Sequence, residues 1–177
     1  NESSILEDER FGARGRRDQI RDVVRGENID ILGLVETFKD SFSSNELSAI
    51  VGMDRFDWHF LPSSRHSGCI LIGCKRDVFD FVVFYHGTLW ASIVVHHRHL
   101  NTLWEFMVVY GPANHSLTSL FLNELSTKIE SGTIPIVIGG DFNLLHTPSD
   151  KNNYNFSWSI DNVFNDFISA FAIHELP

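Results

Sequence analysis

The sequence predicts a single α/β domain built on two packed sheets, and three observations carry that expectation. Its 177 residues amount to roughly one domain at about 150 residues each. Apolar residues change spacing along the chain in the order helix, strand, helix, several strands, helix, strand, helix, which places helices on both sides of strand-rich pairing. The composition, 43% hydrophobic and 21% charged with 15 Phe and 4 Trp, suits a packed core and excludes disordered, collagen-like and coiled-coil classes.

The elements follow from local pattern. Arg10, Arg14, Arg16, Arg17, Arg21 and Arg25 surround Ile20, Val23 and Val24 at helical spacing, with Gly26 as a stop. That is a basic amphipathic helix, whose charged side reads as a solvated face or, alternatively, as a phosphate-facing flank. Residues 29–35 form a nearly continuous apolar run, as in a strand covered on both faces, and deliver Glu36 and Thr37 at its carboxyl end. A short helix over 44–51 precedes an alternating strand at 56–60 and a polar loop at 62–68. Segments 69–74, 79–85, 89–95 and 103–110 are β-branched or aromatic with short connections, and are expected to form an antiparallel meander. Leu117, Leu120, Phe121, Leu125 and Ile129 trace a helical face opened by Ser116 or Thr118 and closed near Gly132. A buried strand at 136–138 runs into Gly139-Gly140-Asp141-Phe142-Asn143. A polar loop at 147–159 then leads to a last helix carrying Val163, Phe164, Phe167, Ile168 and Phe171.

Charge and cysteine usage narrow the class further. The formal net charge of -9 argues against a protein that coats polyanions, so any contact with phosphate is local. Cys69 and Cys74 are too few and too close for a disulfide framework and read as reduced strand thiols. No apolar stretch reaches the roughly 20 residues of a membrane span, and no secretion signal opens the chain, so an intracellular location is expected.

Three polar groups emerge from the carboxyl ends of apolar strands: Glu36, Tyr110, and Asp141 with Asn143. Rigid strands fix the backbone there while the loops free the side chains, which is where sites form. A carboxylate such as Glu36 is a hard oxygen ligand suited to Mg²⁺, which keeps several waters and needs only one or two carboxylates beside a substrate phosphate. Asp141 follows two glycines that permit a tight turn, and can orient or deprotonate a water. Asn143 can donate amide hydrogens to a phosphoryl oxygen, although an Asx-turn after the strand explains the same residues without chemistry.

The segments Ile29-Asp30-Ile31-Leu32-Gly33-Leu34-Val35-Glu36-Thr37, Gly68-Cys69-Ile70-Leu71-Ile72, Val108-Val109-Tyr110-Gly111-Pro112 and Ile138-Gly139-Gly140-Asp141-Phe142-Asn143 resemble, in order, the motifs of the endonuclease/exonuclease/phosphatase superfamily. Within it the chain looks like the endonuclease domain of plant LINE-type (non-LTR) retrotransposons. The resemblance spans about residues 16–177 and implies a four-layer α/β/β/α sandwich. It makes Glu36 the Mg²⁺ ligand, with Mn²⁺ as a possible substitute, Tyr110 a phosphate-side or transition-state group, Asp141 the water-orienting base and Asn143 a partner of the scissile phosphate. It also implies DNA as substrate, a reverse transcriptase domain in a parent polyprotein, and a nuclear site of action if the target is genomic DNA.

Two features of the superfamily pattern are missing. Residues 1–9 show no opening strand with its metal-site Asn, and no Ser-Asp-His segment with its catalytic His follows the last helix. The expectation is therefore a single partial domain over 1–177, with 1–9 outside the conserved fold, and His174 is not cast as the missing His. The open alternatives are a catalytically dead remnant or binding module, and a small-molecule or lipid phosphoesterase. Arg65 and His66 in the polar loop are candidate phosphate contacts. The run His96-His97-Arg98-His99 reads as an exposed hairpin turn rather than a metal site, and Trp58, Trp90, Trp104 and Trp158 read as packing.

Overall fold

The computed structural model describes residues 14–37, 41–52, 55–63, 69–144 and 158–176, save the side chains of 14, 16 and 158–161. The described elements run α1 (Arg14–Gly26), β1 (Ile31–Val35), α2 (Ser44–Val51), β2 (Phe56–Leu61), β3 (Ile70–Lys75), β4 (Phe79–His86), β5 (Trp90–His97) and β6 (Thr102–Tyr110), then a 3₁₀ turn (His115–Leu117), α3 (Thr118–Glu130), β7 (Ile136–Asp141) and α4 (Trp158–Ala170). Two sheets result, one ordered β1-β3-β2 and the other β4-β5-β6-β7.

Period-two patterning assigns the layers. On β3, Ile70, Ile72 and Cys74 join Ala91, Ile93 and Val95 of β5 and Val108 of β6 in the core between the sheets. The opposite face of the first sheet, with Leu32, Leu71 and Phe56, packs on Val24 of α1 and on Ile50 and Val51 of α2. Trp90, Met107 and Val109 pack with Phe121, Leu122 and Leu125 of α3 and with Phe164 and Phe167 of α4. The order is helices, sheet, sheet, helices, as expected.

Three expectations change in detail. The four segments expected to form a single meander are divided between sheets: β3 pairs antiparallel with both β1 and β2, and only β4, β5 and β6 form a meander. The reason is burial, because every residue of β3 is buried and needs a neighbour on each edge as well as cover on each face. β1 is consequently an antiparallel edge strand of mixed exposure rather than one buried on both faces. At α3 neither Ser116 nor Thr118 caps the helix; Asn114 accepts from the Ser116 N–H at 3.1 Å and closes the 3₁₀ turn that leads in.

The basic helix spends its arginines on its neighbour. Arg21 donates to the Ala49 carbonyl at 2.7 Å and Arg25 to the Gly52 carbonyl at 3.0 Å, satisfying oxygens that the end of α2 leaves without helical partners. Of the run 96–99 expected as an exposed turn, His96 and His97 instead end β5, half-buried and paired with β6, and the turn begins at Arg98; the Leu100 N–H donates to His97 Nδ1 and Arg98 pairs with Asp80 at 2.6 Å. Burial pushes the Cys74 thiol up to about 11, with Asp57 adding to the effect, so it stays protonated and inert. No described helix is long and apolar enough to cross a membrane.

Two interactions set how the sheets meet. At one end, a Cβ on Gly33 of β1 would stand 2.3 Å from a Val108 methyl of β6, so glycine is what permits this approach. At the far edges, the His59 ring of β2 stacks on Phe81 of β4 with centroids 4.0 Å apart, and its Nε2 is buried with no hydrogen-bond partner among the described residues.

Both interactions are testable. Gly33→Ala is expected to cost about 1–3 kcal/mol in urea unfolding, and Val108→Ala in the same chain to return part of it by emptying the space the new methyl needs. Burial holds the His59 pKa below its ordinary 6.5, against a smaller opposing effect of Asp57. The folded state therefore binds fewer protons than the unfolded one, and stability falls as pH drops below 6.5 towards the folded-state value. The fall in thermal midpoint between pH 7.5 and 5.5 should be smaller in His59→Phe.

Candidate active site

Strand direction and parity bring the predicted residues together. β6 and β7 are parallel, with Tyr110 opposite Asp141 in register. Along β6, Glu105, Met107 and Val109 point to the helix layer, so Phe106, Val108 and Tyr110 face the other sheet. Asp141 stands opposite Tyr110 at the end of β7, directly after the left-handed Gly140. Across the gap, Gly33 of β1 opposes Val108, and the Tyr110 hydroxyl, two positions after Val108, donates at 2.5 Å to Oε1 of Glu36, three positions after Gly33 and just past the end of β1. Glu36, Tyr110 and Asp141 thus converge at the same end of the sandwich from residues far apart in sequence.

Backbone conformation aims the two carboxylates. Strict alternation along β1 would send Glu36 to the helix side with Leu32 and Leu34. Instead its φ of 59° is left-handed, and the carboxylate meets a side chain from the face between the sheets. Gly140 has φ of 122°, and a Cβ there would lie 2.1 Å from the Val109 carbonyl oxygen, so only glycine can end β7 this way. Beyond it Asn143 is also left-handed, at φ 51°. Its N–H donates to Asp141 Oδ1 at 2.8 Å and its side-chain amide to the Gly111 carbonyl at 2.7 Å. The Asx-turn considered from the sequence is therefore real, and it orients Asp141. The loops after β6 and β7 are zipped together, with the Gly111 N–H donating to the Asp141 carbonyl at 2.6 Å.

The polar atoms that remain define the chemistry. Glu36 and Asp141 are exposed, and each keeps one carboxylate oxygen outside the hydrogen bonds just described. An oxygen-only donor set of this kind fits Mg²⁺ better than Zn²⁺, which takes nitrogen and sulfur ligands. Among the described residues no three His, Cys, Asp or Glu cluster as a protein-only metal cage would require. Glu36 stands at the mouth of a groove of about 580 Å³ between α1 and β1, and Asp141 at one of about 1240 Å³ between β7 and α4.

The sequence missed three supports of this site. Gly33 and Gly111 are required by close approach, the latter because a Cβ would fall 1.9 Å from the Phe142 carbonyl oxygen, and nothing in a strand pattern announces that. Thr37 is 1% exposed and donates from its hydroxyl to Cys69 Sγ. Arg65 and His66 lie outside the described residues.

Residues 10–165 match the Endonuclease/Exonuclease/phosphatase family, and the chain belongs to it. No curated protein matches the chain. Among solved structures, the human Nocturnin catalytic domain with bound sulfate is 18% identical with a TM-score of 0.60, over 89% of this chain and 62% of that one. The mannosyl-6-phosphatase of Bacteroides thetaiotaomicron is 16% identical at TM-score 0.56, over 81% and 61%. Truncated TDP2 of Caenorhabditis elegans is 13% identical at 0.53, over 78% and 59%. The chain thus spans about three fifths of each of these structures, which share its fold.

The left-handed backbone at Glu36 gives a stability test that needs no substrate. Glu36→Gly, which suits that φ, is expected to be at least as stable as the parent chain in urea unfolding. Glu36→Val, β-branched and intolerant of it, is expected to lose about 1–3 kcal/mol.

Proposed function

We propose that the chain is a Mg²⁺-dependent phosphodiester hydrolase that nicks DNA, the endonuclease domain of a LINE-type retrotransposon or of a protein descended from one. The observation that carries this reading is the Tyr110 hydroxyl bound to Glu36 from one strand while Asp141 stands in register on the next. Members of the family commonly use divalent metals, and Glu36 offers the open carboxylate oxygen that would hold one.

The residues divide the work. Glu36 anchors the cation side of the site, and Tyr110 fixes its rotamer through the hydroxyl hydrogen bond. Asp141, oriented by the Asn143 N–H, places a water in line with the phosphorus and accepts its proton as the new P–O bond forms. The second hydrogen of the Asn143 side-chain amide is directed to a non-bridging oxygen as charge builds there. The bond between phosphorus and the 3′-oxygen breaks, and the departing oxygen takes a proton from solvent water, to which Asp141 returns the one it accepted, leaving a 3′-hydroxyl able to prime reverse transcription. A bound Mg²⁺ supplies Lewis-acid polarisation of the phosphate and offsets charge on that departing oxygen.

Exposure of Glu36 and Asp141 supports a long polymer as substrate, since an extended strand can lie across an open edge. Any tight hold on DNA falls to local contacts or to a partner such as a reverse transcriptase domain, because the chain carries a net charge of -9. A second reading, hydrolysis of small phosphate esters, is favoured by the likeness to a mannosyl-6-phosphatase.

Conversion of supercoiled plasmid to the open circle, with Mg²⁺ against EDTA, decides between them. The expected result is Mg²⁺-dependent nicking that falls at least about a hundredfold in Glu36→Ala and in Asp141→Ala. Release of phosphate from a sugar phosphate, with no nicking by the folded chain, would replace the nuclease reading with the second. Neither activity in a folded chain would mark a remnant.

A further inference from the structure

We propose that Thr37 is a positioning residue for the hydrolysis proposed above, on which this inference rests, and that its hydrogen bond to Cys69 is the latch that sets Glu36 in the site. The β1–β3 ladder ends at the pair Val35 and Ile70. Left to itself, the chain beyond that pair would continue the strand and carry Glu36 to the helix side. It turns at Glu36 with φ of 59° instead, a strained conformation that persists only where the surroundings over-determine it.

Two anchors over-determine it. The Tyr110 hydroxyl holds the carboxylate end of the side chain. Immediately after the turn, Thr37 drops to 1% exposure and its Oγ donates to Cys69 Sγ, itself fully buried beside Ile70. This second hydrogen bond joins the residue that follows the last pair on β1 by two to the one that precedes it on β3 by one. It therefore closes the turn from the backbone side. A thiol is a weak acceptor, but a buried hydroxyl with no acceptor at all pays its full desolvation cost, so the pair defines one position of the chain. Cys69 serves here as an acceptor in a fixed place, and neither it nor Thr37 touches the reacting atoms.

The test uses Thr37→Val, which keeps the shape and removes the donor, and Thr37→Ser, which keeps the donor. Binding of Mn²⁺ to the whole chain is followed by electron paramagnetic resonance, and the Mg²⁺ concentration for half-maximal nicking is measured alongside the rate at saturating Mg²⁺. Thr37→Val is expected to weaken Mn²⁺ binding and raise the half-maximal Mg²⁺ by a shared factor of about 10–100, with a far smaller change at saturation, and Thr37→Ser to restore both. Labelling of Cys69 by a thiol reagent reads the latch without any activity, with Cys74 as the internal reference. It is expected to quicken in Thr37→Val and not in Thr37→Ser. Unchanged Mn²⁺ binding and unchanged labelling in folded Thr37→Val would overturn the latch, as would equal losses in Val and Ser variants. A parent chain that neither binds Mn²⁺ nor nicks, but in which Thr37→Val still exposes Cys69, would overturn the hydrolase reading while leaving the latch in place.

Discussion

The close approach of the two sheets at Gly33 and Val108 is the constraint on which the site depends. Everything that gathers there is measured across that gap. With no Cβ at position 33, β1 lies near enough to β6 for a tyrosine hydroxyl two residues on to span the remaining distance to a glutamate. A side chain at 33 would push the sheets apart, and a tyrosine has no further reach to give. Packing of the interior and placement of a surface carboxylate are in this sense one problem, solved by one missing side chain.

Conformation then does what distance alone does not. Glu36 and Asn143 both hold left-handed backbones that their residue types adopt reluctantly, Glu36 more so than Asn143. Glu36 immediately follows β1 and Asn143 lies two residues beyond β7, whose own backbone already departs at Gly140. The fold supplies compensation in hydrogen bonds from Tyr110 to Glu36 and from Asn143 to Gly111. Glycine would carry less strain at both positions.

Much of this was legible beforehand because it rests on period and on strand ends. The order of elements, the four layers and the gathering of Glu36, Tyr110, Asp141 and Asn143 follow from apolar runs that stop at polar residues, and from motifs shared with the family. Sheet membership was harder. The connection between β3 and β4 is as short as a hairpin, yet it passes between sheets, because β3 is claimed on both edges by β1 and β2. The supports of the site were invisible for a different reason. Gly33 and Thr37 look like ordinary members of an apolar run and its end, and their importance lies in Val108 and Cys69, which only the folded chain brings near. Likewise the arginines of α1 suggested an outward charge, whereas Arg21 and Arg25 serve the carbonyls at the end of α2.

The Tyr110 to Glu36 hydrogen bond joins residues 74 apart, one from each sheet. Contacts of such long range form late, after their loop-closure entropy has been met by the rest of the structure. The sheet holding β6 and β7 carries Tyr110, Asp141 and Asn143 by itself, but Glu36 joins them only when the other sheet docks. The hydrogen bond from Tyr110 to Glu36 is accordingly a marker of docking between the sheets rather than of either sheet's own formation.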